Sequence, residues 1–249
     1  MTSLFDWSKW LKLLSDGPTL LTFAEGFKIT ILIAISGLLL AMALGIVFGF
    51  MSVAKNKILK IISRIYVEVY QNTPLLLQTF FYYYSIPAFR RSVLGMSIRE
   101  ARLSGFIYGI LGVGLYHGAY MAEVIRTGIE AVPKGQTEAA QSQGFTVLQT
   151  MIHVILPQTF KMIMPPMTNQ ALNLVKNTSV VALISGFDLM YYSNVYVTKG
   201  GNLNGYVLCA IMYFIICLPL AQLSKHLELK AAQVPDDKVA KKVNKGEVA

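Results

Sequence analysis

Stretches free of charged side chains run from Ile29 to Ala54, Val69 to Phe89, Leu103 to Ala122 and Gly200 to Ser224, and a further one, Met162 to Phe187, is interrupted only by Lys176. Each is long enough to cross hydrocarbon about 30 Å thick as a helix rising about 1.5 Å per residue. The pattern predicts an all-α integral membrane protein with five transmembrane helices and no soluble segment of ordinary domain size. The first run is longer than the apolar core of a cleavable signal and lacks a small-residue cleavage pattern after it, so it reads as a retained span. Its Gly37, Gly45 and Gly49 allow another helix to approach closely.

The chain divides into three parts on this reading. Residues 1–18 mix Phe5, Trp7, Trp10, Leu11 and Leu14 with Asp6, Lys9 and Lys12, which suits an interfacial helix at the lipid–water boundary. Residues 19–227 form the membrane domain. Residues 228–249, with Pro235, Asp236, Asp237 and several lysines but almost no large apolar residue, read as a disordered cytoplasmic tail.

Composition agrees with the pattern: 54% of residues are hydrophobic and 14% charged, where a soluble domain carries about 25% charged residues. A soluble enzyme is excluded. The net charge of +9 is not a nucleic-acid signal, because Lys and Arg cluster at the ends of the apolar runs, where they orient helices in a membrane. Placing the N-terminus outside and the C-terminus in the cytoplasm puts Lys55, Lys57, Lys60, Arg64, Arg126, Lys134 and the C-terminal lysines inside. Arg90, Arg91, Arg99 and Arg102 then lie outside and dissent. Cys209 and Cys217 are about 12 Å apart along a helix, too far for a disulfide. His117, His153 and His226 lie in separate segments without metal-ligand spacing, and His117 reads as a helix-packing histidine.

Two places break the apolar pattern. The second span begins near Ile58 and carries Glu68, Gln71, Asn72, Thr73, Pro74 and Gln78 before an aromatic end from Phe80 to Tyr84. Those polar groups need partners in hydrocarbon, so the face points into the bundle or a wet path, unless the stretch lies at the headgroups. Lys176 stands near the middle of the fourth span, followed by Asn177, Thr178 and Ser179 and preceded by Pro165 and Pro166. A lysine there costs about 2.5 to 3.5 kcal/mol unless it is paired or wet. One reading is a polar cavity in which Lys176 holds a substrate carboxylate or a buried acid such as Glu123 or Glu68. Thr73, Gln78, Asn177 and Ser179 would then supply neutral hydrogen bonds. The other reading is snorkelling of Lys176.

Between the third and fourth spans, Glu130 to Thr150 predicts two short helices. Pro133 suits a first helical turn, Glu138, Ala139 and Ala140 favour helix, Gly144 ends it, and Thr146 caps a second helix leading to His153. Read as a string, Glu138 to Pro157 is EAAQSQGFTVLQTMIHVILP. It resembles the EAA loop of membrane subunits of bacterial ATP-binding-cassette importers, whose form is E-A-A, three residues, G, nine residues, then I-x-L-P. Glu138, Ala139, Ala140, Gly144, Leu156 and Pro157 fall on that form, with Val154 for the usual Ile. VEVYQNTPLLLQTFFYY (Val67 to Tyr83), AYMAEVIRTGIEAVPKGQTEAA (Ala119 to Ala140) and NLVKNTSVVALIS (Asn173 to Ser185) look like the polar-amino-acid branch, the histidine and glutamine type permeases. The resemblance covers about Phe23 to Ser224.

The resemblance implies a type I importer transmembrane domain whose short cytoplasmic coupling helices, in a loop at about 130–157, dock on an ATPase. Pro133, Gly135, Glu138, Ala139, Ala140, Gly144 and Phe145 carry that role over. It also implies an ATPase subunit dimer that binds ATP and Mg, a second permease subunit, identical or related, and an extracellular solute-binding protein that delivers a small polar amino acid. The location would be a bacterial inner or cytoplasmic membrane. Gln71, where the family often has Arg, and Asn177, where several relatives carry Asp, depart from the pattern near the expected path and leave the substrate open. No G-x-x-x-x-G-K-[ST] string occurs, so ATP hydrolysis is expected in trans, with no cofactor in this chain and no catalytic residue. An ion-coupled secondary carrier would also explain Lys176, but the EAA string and the lack of an internal repeat weigh against it. An intramembrane enzyme built on Ser179 and His117 has no spacing in its favour.

Overall fold

A computed structural model describes residues 7–184, 186–199 and 202–232, and every regular element among them is helical. Residues 1–6 of the expected interfacial segment and 233–249 of the expected tail lie outside the described residues. The first helix, α1 (Trp7–Ser15), turns Leu13 inward onto Phe23, Leu189 and Cys209 and leaves Trp7, Leu11 and Leu14 exposed.

Helix α2 (Gly17–Val53) begins upstream of the first uncharged run and has 37 residues, a length of about 55 Å. It packs along α6 (Gly105–Glu130), which forms the centre of the bundle. Small residues make this contact close: a Cβ built on Gly37 would stand 2.5 Å from Val113 Cγ2, and one on Gly49 2.8 Å from Ile125 Cβ. Backbones at this distance bring many atoms into van der Waals contact, which drives helix association where no hydrophobic effect operates. Ile33, Ala34, Ala41, Tyr108, Val113, Met121, Leu174 and Val181 form the core around the contact.

The expected second span is two helices, α3 (Lys57–Gln71) and α4 (Leu75–Leu94), separated at residues 72–74. Pro74 has no N–H to donate and disfavours helix at Thr73. The carbonyls freed by the break are taken up locally: the Thr73 hydroxyl donates to Val69 O at 2.7 Å and Gln78 Nε2 to Tyr70 O at 3.0 Å. Helix α4 runs on through Pro87 and the arginine pair Arg90–Arg91, so this part of the expected external loop is helical. Gly95, at φ +66°, ends it, and α5 (Ile98–Ala101) follows behind a Ser97–Glu100 capping box.

Beyond α6 come α7 (Lys134–Ser142), α8 (Val147–Thr150), a π-helical turn (Met151–Ile155) and α9 (Leu156–Asn177), which tightens into a 3-10 helix (Thr178–Ile184). The chain keeps its helical course through Pro157. A proline in the first turn of α9 loses only one bond, and the preceding π turn accommodates its ring. Helix α10 (Leu189–Thr198) is not anticipated by the apolar pattern. It is fixed by polar groups: buried Asp188 accepts from the backbone N–H groups of Met190 (3.2 Å) and Tyr191 (3.1 Å), and Leu189 N–H donates to Thr30 Oγ1 of α2 (3.0 Å). The last helix, α11 (Asn204–Ala232), passes the expected start of the tail at residue 228, because Leu229, Lys230, Ala231 and Ala232 are good helix formers.

Helices α2 and α11 are each long and apolar enough to cross a membrane. Leu32, Ile35, Leu39, Ile46, Ile211, Phe214, Ile215 and Leu218 remain exposed along them, as lipid-facing side chains should. Helix α6 is built differently, with buried glycines, Tyr108 and His117, and most of its surface is covered by neighbouring helices.

Candidate functional site

The loop between α6 and α9 is a stiff unit. Pro133 precedes α7 as its N-cap. At the other end Gly144 N–H donates to Gln141 O (2.9 Å) and Phe145 N–H to Ala140 O (3.1 Å), the paired bonds of a Schellman stop. Gly144 adopts φ +84°, a left-handed conformation that costs other residues about 1 to 2 kcal/mol. A Cβ at Gly144 would meet nothing within 4 Å. Within the chain this glycine therefore serves its backbone conformation and not a close approach of backbones. Thr146 then starts α8: its N–H donates to Gln149 Oε1 (2.8 Å), and its hydroxyl accepts from Gln149 N–H (3.3 Å).

Buried contacts anchor this unit. Val132, just before α7, packs with Ile125, Ile129 and Ile155, and with Val53 at the end of α2. Ala140 is buried, and the Phe145 ring meets the His153 ring edge-on at 6.4 Å. The outer side is bare: Pro133, Gly135, Glu138 and Ala139 are exposed. Gly135 also has nothing within 4 Å of a built Cβ, yet its φ is not positive, so nothing inside the chain requires glycine there. Glu138 makes no ion pair among the described residues.

The side chains expected along a path fall into separate groups. Glu68 and Glu123 line one cavity of about 510 Å³ between α3 and α6, together with Arg64, Gln71 and Arg126. Both acids already have partners: Arg64 Nε is 2.6 Å from Glu68 Oε1, and Arg126 Nε is 2.9 Å from Glu123 Oε2. Lys176 is exposed and lines a different opening with Ser179, Met190, Tyr206, Cys209 and Tyr213. The expected pairing of Lys176 with Glu68 or Glu123 is thus not formed, since each acid is held by an arginine one helical turn away on its own helix.

Thr73 and Gln78 close the break between α3 and α4. Gln78 Nε2 lies 3.0 Å from both Tyr70 O and Thr73 O and 2.6 Å from Thr73 Oγ1. Two bonds join this region to α6: the Tyr66 hydroxyl donates to Leu115 O (2.7 Å) and Gln71 Nε2 to Ala119 O (3.4 Å).

Asn177 faces away from the Lys176 opening and meets buried His117 of α6, with 3.0 Å between its Nδ2 and His117 Nε2. The other ring nitrogen, Nδ1, lies 3.2 Å from Gln170 Oε1 of α9. His117 is therefore a polar link between two helices, more than packing. Its sequence signal was a histidine within an apolar run, which carries no information about partners more than fifty residues away. Among the described residues no three His, Cys, Asp or Glu side chains gather where they could hold a metal ion.

Comparison with known proteins agrees with this arrangement. Residues 37–233 match the family described as binding-protein-dependent transport system inner membrane component. The chain is 38% identical over 209 residues to the probable glutamine ABC transporter permease protein GlnM of Bacillus subtilis, covering 83% of this chain and 91% of that one. It is 33% identical over 168 residues to the glutamate/aspartate import permease protein GltJ of Escherichia coli, covering 66% and 68%. A crystal structure of an amino acid ABC transporter with histidines superposes with a TM-score of 0.75 at 26% identity, covering 94% of this chain and 100% of that one. The inward-facing MetNI methionine ABC transporter shares the fold at a TM-score of 0.63 and 15% identity, over 91% of this chain and 98% of that one. None of these relatives supports the ion-coupled carrier reading. The chain belongs to the binding-protein-dependent transport system inner membrane component family, and within it to the polar amino acid ABC importer permeases.

Proposed function

We infer that this chain is the membrane subunit of an ATP-binding-cassette importer that carries a polar amino acid into the cell by alternating access, driven by ATP hydrolysis on a separate subunit. The observation that carries the coupling role is the two-sided build of α7. Val132, just before it, packs with Ile129 of α6 and Ile155 of the turn into α9, and Ala140 is buried, while its outer side presents Gly135, Glu138 and Ala139 exposed, with no ion pair to Glu138 among the described residues. A displacement of α7 by a closing ATPase dimer would pass into α6 and α9 as a rigid movement, because the Schellman stop and the capping box leave little slack. Helix α6 carries Glu123 and Arg126, and α9 carries Lys176, so the same movement reshapes the polar openings that they line.

Five spans follow on this reading: α2, the broken pair α3–α4, α6, α9 with its 3-10 extension, and α11. The N-terminus lies outside and α7 in the cytoplasm of a bacterial inner membrane. Two permease subunits enclose one path, a solute-binding protein delivers the amino acid, and the partner ATPase holds ATP and Mg. The names of the relatives, glutamine and glutamate/aspartate permeases, support a polar amino acid as cargo. Glu68, Thr73, Gln78, Glu123, Lys176, Asn177 and Ser179 are the residues proposed for the path, with Lys176 available to a substrate carboxylate.

The test is co-purification of the ATPase with Glu138→Lys and wild-type subunits in mild detergent, paired with uptake in reconstituted vesicles. The variant should insert normally while ATP hydrolysis loses its link to uptake. Normal uptake by Glu138→Lys would remove α7 from the coupling role.

A further inference from the structure

We propose that His117 is a positioning residue that fixes the side chain of Asn177 and so tunes the path toward a carboxamide-bearing substrate over a cationic one. The proposal rests on the reading of Asn177 as a path residue.

Gln170 and Asn177 are two turns apart on α9 and share one face. The His117 ring bridges them from α6 like a rung, 3.2 Å from Gln170 Oε1 through Nδ1 and 3.0 Å from Asn177 Nδ2 through Nε2. These contacts specify the protons. A carbonyl oxygen only accepts, so Nδ1 carries the hydrogen and donates to Gln170; Nε2 is then bare and accepts from the Asn177 amide. The rings of Tyr116 and Tyr120 lie 5.2 and 6.3 Å from the imidazole by centroid and confine it. His117 is 2% exposed, so water does not compete for either nitrogen.

The consequence is at Asn177. One amide hydrogen is committed to His117, which stops the amide from turning over, and the carbonyl Oδ1 of this half-buried residue remains the group free to accept. An oriented neutral acceptor favours a substrate group that donates hydrogen bonds. It does not offset a full positive charge. A carboxamide side chain meets both conditions, whereas a guanidinium or ammonium side chain meets only the first. A carboxylate at position 177 would reverse the logic, since it demands a proton on Nε2 and adds negative charge.

The experiment is calorimetric titration of the assembled permease–ATPase complex in nanodiscs, without solute-binding protein, with glutamine and with arginine. Wild type should bind glutamine more tightly. Asn177→Asp should shift the glutamine-to-arginine affinity ratio toward arginine by about tenfold, and His117→Ala should weaken glutamine binding by about tenfold while changing arginine binding little. A purely structural histidine would lower both affinities alike. Nitrogen NMR of ring-labelled His117 gives a readout independent of ligand, and should find the hydrogen on Nδ1. A hydrogen on Nε2, or an unchanged affinity ratio in folded Asn177→Asp complex, overturns the proposal. Absence of any amino acid binding to wild type overturns the path reading beneath it as well, whereas wild-type binding with unaltered ratios overturns this inference alone.

Discussion

Gly45 of α2 lies directly against Met121 of α6: a Cβ added to the glycine would stand 2.6 Å from the methionine Cβ and 3.3 Å from its backbone carbonyl carbon. The obstacle is the root of a side chain and its main chain, which have no freedom to swing aside. Gly45→Val should therefore force the two helices apart and destabilise the protein by about 1 to 3 kcal/mol. Thermal unfolding of the detergent-solubilised chain would check this, and an unchanged midpoint would mean that the helices do not meet at this point.

The two glycines of the loop between α6 and α9 should respond differently. Gly144→Ala places a side chain at φ +84° and should weaken the Schellman stop by about 1 to 2 kcal/mol, visible as a lower unfolding midpoint. Gly135→Leu enters open space on the outer side of α7 and should change stability by no more than about 0.5 kcal/mol. It should nevertheless reduce co-purification of the ATPase. Full retention of the ATPase by Gly135→Leu would show that this side of α7 is not covered by a partner.

At the break between α3 and α4, Gln78→Leu removes the donor shared by Tyr70 O and Thr73 O while leaving those part-buried carbonyls in place. The expected loss is about 1 to 3 kcal/mol, the cost of unsatisfied polar groups away from water. Thermal unfolding measures it. Equal stability of variant and wild type would imply that water reaches the break.

A pH effect is expected outside the spans, at α5. The Ser97 hydroxyl, followed by the Ser97 backbone N–H, holds the Glu100 carboxyl below its ordinary value. A carboxyl lowered by folding contributes stability that is full above its unfolded pKa and is lost as pH falls through the lowered folded value. Hydrogen exchange between α4 and α6 should therefore quicken as pH drops through the acidic carboxylate range, after correction for intrinsic rates. In Glu100→Gln that acceleration should disappear; its persistence would assign the effect to another group.

The five apolar runs, the short helices between α6 and α9 and the Gly144 stop were all legible in the sequence, because each depends on residues close along the chain. The break at residues 72–74 was visible as polar residues around Pro74, although one span was expected where two helices form. The grouping of the polar residues was not legible. Lys176 and Asn177 are neighbours in sequence but lie about 100° apart around a helix, so Lys176 lines an opening while Asn177 meets His117 of α6. Glu68 and Glu123 were candidates for Lys176, yet each has an arginine one turn away that meets it with no tertiary folding at all.

The sequence by itself determined that the chain is helical and membrane-embedded, and where the caps and stops of the loop between α6 and α9 fall, since apolar length, proline, glycine and capping residues act locally. Only the tertiary structure decided that α6 forms the centre, that Asp188 and Thr30 anchor α10, and that His117 joins Gln170 to Asn177. Those outcomes depend on which faces meet across 53 to 159 residues of chain, and periodicity along a single helix does not encode the identity of the facing side chain.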